Sequence, residues 1–167
     1  MFEHFSRQEA LALLCRWTDW LKPGGKLLIE TPDFDGCLLA YLSPLTSADE
    51  KAQIVRHLFG SHEAEWAVHW DGWYKKRFLE TLKAFGYEDI IVKKTRWGVT
   101  RNIEVCAKRG ERQFQEEEYK IIVRNLLITS LIKPQSKTKV VDEEQISESE
   151  MRMLDMWLDG WHMAYKI

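Results

Sequence analysis

Three of the chain's five histidines, His57, His62 and His69, stand close together, among Trp66, Trp70 and Trp73. An imidazole exchanges a proton near neutral pH, and an indole offers a broad apolar face with one donor. A loop rich in both can wall a ligand site. It can equally pack over a sheet edge with its imidazoles bonded to backbone, and the sequence leaves both uses open. Arg56, just upstream, is either a contact for an anionic group or a solvated helix position. Other signatures fail. His62-Glu63 begins the zinc-protease pattern, but Trp66 stands where the second imidazole belongs. No two glycines have G-x-G spacing, which excludes a phosphate or dinucleotide loop, and no G-x-S-x-G marks a nucleophile elbow. A carboxylate pair acting as a hydrolase leaves no local signature. These spacings give no reason to expect a metal.

The elements that must position these residues follow from periodicity and caps. Ser6-x-x-Glu9 is a capping box, followed by Ala10, Leu13, Leu14, Trp17 and Leu21 at helical spacing and stopped by Pro23-Gly24-Gly25. Residues 26–31, short and mostly apolar, read as a strand buried on both faces. The stretch after Pro32-Asp33-Phe34-Asp35-Gly36 reads as irregular. A second box, Ser47-x-x-Glu50, opens a helix ending near Phe59-Gly60. Asp71 is placed to cap a helix with the stripe Tyr74, Phe78, Leu82 and Phe85, closed by Gly86. Strands are expected at 89–95 and 102–107, joined through Trp97-Gly98 as an antiparallel pair. Residues 114–132 read as a helix, with a strand from Leu126 to Ile132 as the alternative. Residues 133–146 read as a polar linker. A third box, Ser147-x-x-Glu150, starts a final helix with so narrow a polar stripe that it should bury two sides.

The chain has 167 residues, 45% hydrophobic and 30% charged, with a net charge of −2. That balance excludes a disordered chain and gives no electrostatic case for nucleic acid or an anionic membrane. No apolar run approaches the ~18 residues of a membrane span. Cys15, Cys37 and Cys106 are sparse and odd in number, which suggests reduced thiols and a cytoplasmic setting. Tryptophan is unusually frequent, with eight against seven Phe and five Tyr.

The order of elements resembles the second half of a class I S-adenosylmethionine-dependent methyltransferase. The residues that carry the likeness are Glu3-His4-Phe5, the helix with Trp17 and Trp20, Leu21-Lys22-Pro23-Gly24-Gly25 leading into Lys26-Leu27-Leu28-Ile29, and Pro32-Asp33. Phe85-Gly86-Tyr87 before Ile90-Ile91-Val92 is similar to that family's turn into its last strand pair. The likeness spans residues 1–108. It implies an α/β fold in which a partial Rossmann-like sheet of three strands, equivalent to the family's fifth, seventh and sixth, is flanked by helices. A C-terminal helical extension, 109–167, follows.

The resemblance also implies roles. Phe2, Glu3 and His4 would stand near S-adenosylmethionine, and Asp33, Arg56 and Trp70 would face the acceptor. His69 would be the base toward the acceptor hydroxyl or amine. The family's first four strands, its glycine-rich loop and its ribose-binding acid would lie before Met1. The expected function is therefore that of a methyltransferase-like protein acting on a small molecule, inactive as an isolated chain. The alternative is a non-catalytic interaction subunit built on the same half sheet. Either way the strand at Lys26–Thr31 keeps an open edge, so a homodimer or a complementary chain is expected there or at the last helix.

Overall fold

The computed structural model describes residues 2–132 and 146–167, so nearly all of the linker expected at 133–146 lies outside the described residues. Three strands form one sheet: β1 (Lys26–Pro32), β2 (Tyr87–Trp97) and β3 (Thr100–Arg109). Their order is β1-β3-β2, and β3 is antiparallel to both neighbours. The helices are α1 (Arg7–Trp20), α2 (Phe34–Leu42), α3 (Ala48–Phe59), α4 (Lys75–Ala84), α5 (Glu116–Ile128) and α6 (Glu148–Lys166). Short 3-10 turns occur at Phe2–His4 and Glu65–Ala67. The fold is thus α/β with an open antiparallel sheet.

The helix starts follow the caps. The Glu9 carboxylate accepts the Ser6 backbone N–H at 2.9 Å, and Glu50 accepts that of Ser47 at 2.8 Å. The third box is only half made. The Ser147 hydroxyl accepts the Glu150 N–H, but the Glu150 carboxylate takes the Ile132 backbone N–H at 2.9 Å. Residues 116–128 are helical, so the strand alternative falls. Asp71 caps nothing: Tyr74 is the residue at the helix start, and the Asp71 carboxylate instead takes Arg77 Nη2 at 2.6 Å. The expected irregular stretch is the helix α2. Asp33 stands at its N-cap, and a Cβ on Gly36 would lie 2.4 Å from Asp33 Oδ2, so a glycine lets the first turn close.

The sheet is covered unequally. Leu27 and Ile29 of β1 and Ile103, Val105 and Ala107 of β3 join Leu11 and Leu14 of α1 and Phe78 and Leu82 of α4 in one core. Helix α6 packs on α1, and α5 packs on both. Leu154, Trp161, Tyr119 and Val123 belong to that same core. On the opposite face Leu28 is 63% exposed, and its cross-strand partner Cys106 lies between it and Ile91, itself 57% exposed. Strand β1 is therefore buried on one face, not both, because helices lie along only one side of it and α2 and α3 reach the other side only near its end. Helix α6 likewise buries one side, against α1 and α5, and leaves Met156 and Met163 exposed. Trp20, Trp66, Trp70 and Trp97 are exposed, whereas Trp73 and Trp161 are core. The tryptophan excess is divided between core and surface.

A buried cation ties the end of β3 to the C-terminal end of α1. Arg109, 4% exposed at the end of β3, donates Nε–H to the Thr18 carbonyl at 3.0 Å and Nη1–H to the Gly110 carbonyl at 2.8 Å. A third bond runs from Nη2 to the Arg112 carbonyl. A guanidinium at the C-terminal end of α1 meets both the orphan carbonyls and the negative end of the helix dipole.

The cysteines report on this asymmetry. Cys15 and Cys37 are fully buried, burial pushes the Cys15 thiol up to about 12, and Cys106 is half-buried on the open face. With an aromatic disulfide reagent at pH 8, one thiol, Cys106, is expected to react in the native protein and the other two only on unfolding. Three equal rates would contradict this layering.

Candidate functional site

The 3-10 turn at Phe2–His4 is anchored by its apolar residue. The Phe2 ring is buried 4.7 Å from Trp73 and 5.8 Å from Trp17, centroid to centroid. With Phe2 in the core, its neighbours Glu3 and His4 are carried to the carboxyl end of β1, where Glu3 sits against Thr31. The segment after α3 folds back onto this turn. Gly60 bridges to Val68 with a φ of +91°, and a Cβ there would lie 2.0 Å from the Ala67 carbonyl, so only glycine fits. The Trp70 N–H donates to the Glu3 carbonyl at 2.8 Å, which brings His69 beside His4.

Glu3, His4 and His69 form one cluster. The two imidazole rings meet edge to face at 4.6 Å, and each Nε2 lies 3.8 Å from Glu3 Oε1. Their tautomers are fixed by what Nδ1 touches. His4 Nδ1 lies 3.1 Å from the Val68 carbonyl and His69 Nδ1 lies 3.3 Å from that of Leu58. A carbonyl only accepts, so both Nδ1 atoms carry hydrogen and both neutral rings turn an Nε2 lone pair toward the carboxylate. Burial presses His69 below the usual histidine value, while the Glu3 carboxylate pulls the other way. Burial raises the Glu3 carboxyl, but the hydrogen bonds and charge offered to it outweigh burial and hold it below the ordinary carboxylate range.

A cavity of about 230 Å³ opens beside the cluster, lined by His4, His69, Arg56, His57, Ser61 and Trp66. The histidine-rich segment makes the packing contacts foreseen for it, with His62 and His69 bonded to the Phe59 and Leu58 carbonyls, and part of it also lines this cavity. His57 Nε2 donates to Asn102 Oδ1 at 2.8 Å and holds α3 to β3, a packing role, while His69 faces the cavity. Of the residues expected in a site, Glu3, His4, His69 and Arg56 come together, and Trp70 joins them through its backbone. Phe2 and Asp33 do not. Phe2 is 1% exposed and serves the core. Asp33, also 1% exposed, pairs with Lys94 Nζ at 2.8 Å through Oδ2.

No family model, curated protein or solved structure matches this chain. The sequence placed Trp66 in the segment without a role of its own and gave no sign of Ser61. It also missed that Glu3, His4 and His69 share one donor set. The only signals were the Glu-His pair and a histidine 65 positions beyond His4, a separation no local spacing rule connects.

The Asp33–Lys94 pair makes a testable contribution. Lys94→Met strands a buried carboxylate and is expected to cost about 1–3 kcal/mol, less than a fully buried pair because Lys94 is half exposed. Adding Asp33→Asn should recover most of that loss in urea denaturation. A double variant no more stable than Lys94→Met would contradict the pairing.

Proposed function

We propose that residues 1–108 are the acceptor-side part of a Rossmann-like, S-adenosylmethionine-dependent methyltransferase sheet acting on a small molecule. Its cofactor-binding strands would join at the outer edge of β1. The observation that carries this reading is the inequality of the sheet's two edges. The edge of β2 is blunted as natural edges are. It bears Lys93, Lys94 and Arg96, and its register is interrupted between Glu88 and Ile91, with Asp89 at a φ of +49°. Strand β1 pairs with β3 without interruption and has Trp20 and Leu28 exposed beside its other side, over an apolar hollow that Trp17 and Leu21 also line. This difference supports a sheet that ends at β2 and continues at β1. The order β1-β3-β2 is also the order that the methyltransferase resemblance implies for fifth, seventh and sixth strands.

In this reading the cluster lies where open α/β sheets bind ligands, beyond the carboxyl end of a strand. Glu3 and His4 stand on the cofactor side, and Arg56 and Trp70 on the acceptor side. His69 Nε2 is an acceptor atom placed to take the proton that an acceptor hydroxyl or amine loses as it attacks the methyl group. Positioning supplies most of the remaining acceleration. A second reading, a non-catalytic docking subunit that pairs with its own copy or with a complementary chain, is favoured by two separate features, the open β1 edge and the exposed Met156 and Met163 of α6.

Calorimetry with S-adenosylmethionine separates the readings. The 167-residue chain alone should show no micromolar binding. The reading frame upstream should encode a strand, a G-x-G-x-G loop and an acidic residue about 20 positions on, and the product that includes them should bind one-to-one. Micromolar binding by the chain alone would overturn the division of the site, and no binding by the longer product would overturn the methyltransferase reading.

A further inference from the structure

We propose that Glu3, His4 and His69 are the protein ligands of a divalent transition-metal ion of the zinc type, with its remaining coordination position open to the cavity that Arg56 lines. The donor set is two imidazole nitrogens and one carboxylate oxygen, the composition of open, substrate-accepting zinc sites. Structural zinc sites are closed by four protein ligands, whereas this set has three and a cavity on the fourth side.

The geometry is close to that of an occupied site. All three ligand atoms lie within 4.8 Å of one another, and two of the three separations are 3.8 Å. In a tetrahedral zinc site with ligand bonds near ~2.0–2.1 Å, ligand atoms stand ~3.3–3.5 Å apart. Small ring rotations about fixed Nδ1 contacts close that gap.

The outer contacts are of the kind that prepare a metal site. A ligating histidine donates its other ring N–H to a carbonyl or carboxylate, which fixes the tautomer and aims the lone pair. Here both do so, His4 to Val68 and His69 to Leu58, and both carbonyls belong to the backbone flanking the Gly60–Val68 bridge. Arg56 across the cavity then suits an anionic or oxygen-rich ligand on the open coordination position. This inference does not depend on the methyltransferase reading. If both hold, the ion occupies the His69 Nε2 lone pair, and activation of the acceptor oxygen passes from the imidazole to the metal's charge.

The test is titration of the full chain with Zn²⁺ by calorimetry and with Co²⁺ by visible absorption. One-to-one uptake of Zn²⁺ with a micromolar or lower Kd is expected, with a cobalt ligand-field band and no thiolate charge-transfer band. Glu3→Gln and His4→Gln should each weaken uptake by about tenfold or more, while His162→Gln, on the exposed side of α6, should leave it unchanged. His4 is about one-third exposed, so His4→Gln carries the test if the buried Glu3→Gln chain fails to fold. No saturable uptake at millimolar Zn²⁺, or uptake that falls with His162→Gln and not with His4→Gln, would overturn the proposal.

Discussion

Among the described residues β3 is the one strand hydrogen-bonded on both sides, and it places the elements that carry the site. Its pairing with β1 runs from Lys26 opposite Lys108 to Pro32 opposite Asn102. That register sets the carboxyl end of β1 beside Arg101 and Asn102. Two groups meet there: Cys37 Sγ against the Arg101 carbonyl and His57 against Asn102. They dock α2 and α3, and α3 leads into the loop that carries His69. A slip of one residue would turn Leu27 and Ile29 outward and Leu28 inward, dismantling the core and the site together. The opposite end of β3 is held as firmly, by Arg109 and by paired bonds of 2.7 Å between the Gly24-Gly25 turn and the Arg109 backbone.

The site is positioned by packing more than by its own polar contacts. Phe2, Trp73 and Phe78 bury three rings against one another. Each such ring contributes ~1.5–3 kcal/mol by burial, enough to hold a turn of three residues that has little helical stability of its own. Glu3 is thereby carried out of solvent and set between two imidazoles. An aromatic anchor on one residue thus fixes the electrostatics of the next two.

Much of the fold was legible in the sequence, and the failures share a cause. Helices α1 and α3 were announced by capping boxes whose bonds are local, and the β2–β3 pair by a two-residue connection with Gly98 at a φ of +58°. Strand β1 was found, but its two faces were not told apart, because a run of apolar residues does not say how many sides are covered. Helix α2 was missed because Asp33, Asp35 and Gly36 read as turn residues, while what holds the helix is its docking on α3 and β3. Glu150 was expected to complete a cap and instead satisfies Ile132, a choice made by tertiary structure. At the site, Glu3, His4, His69, Arg56 and Trp70 were each singled out. Their meeting depends on Trp70 reaching the Glu3 carbonyl across 67 positions, which no spacing rule contains.

On the proposed reading the sheet continues at β1 and ends at β2. Hydrogen exchange of the chain across a concentration series measures both edges at once. The account predicts that, as the chain associates, amides of residues 26–32 that face away from β3 gain protection while those along the outer edge of β2 do not. Association that protects the β2 edge, or that leaves both edges exchanging as in the dilute chain, would contradict it.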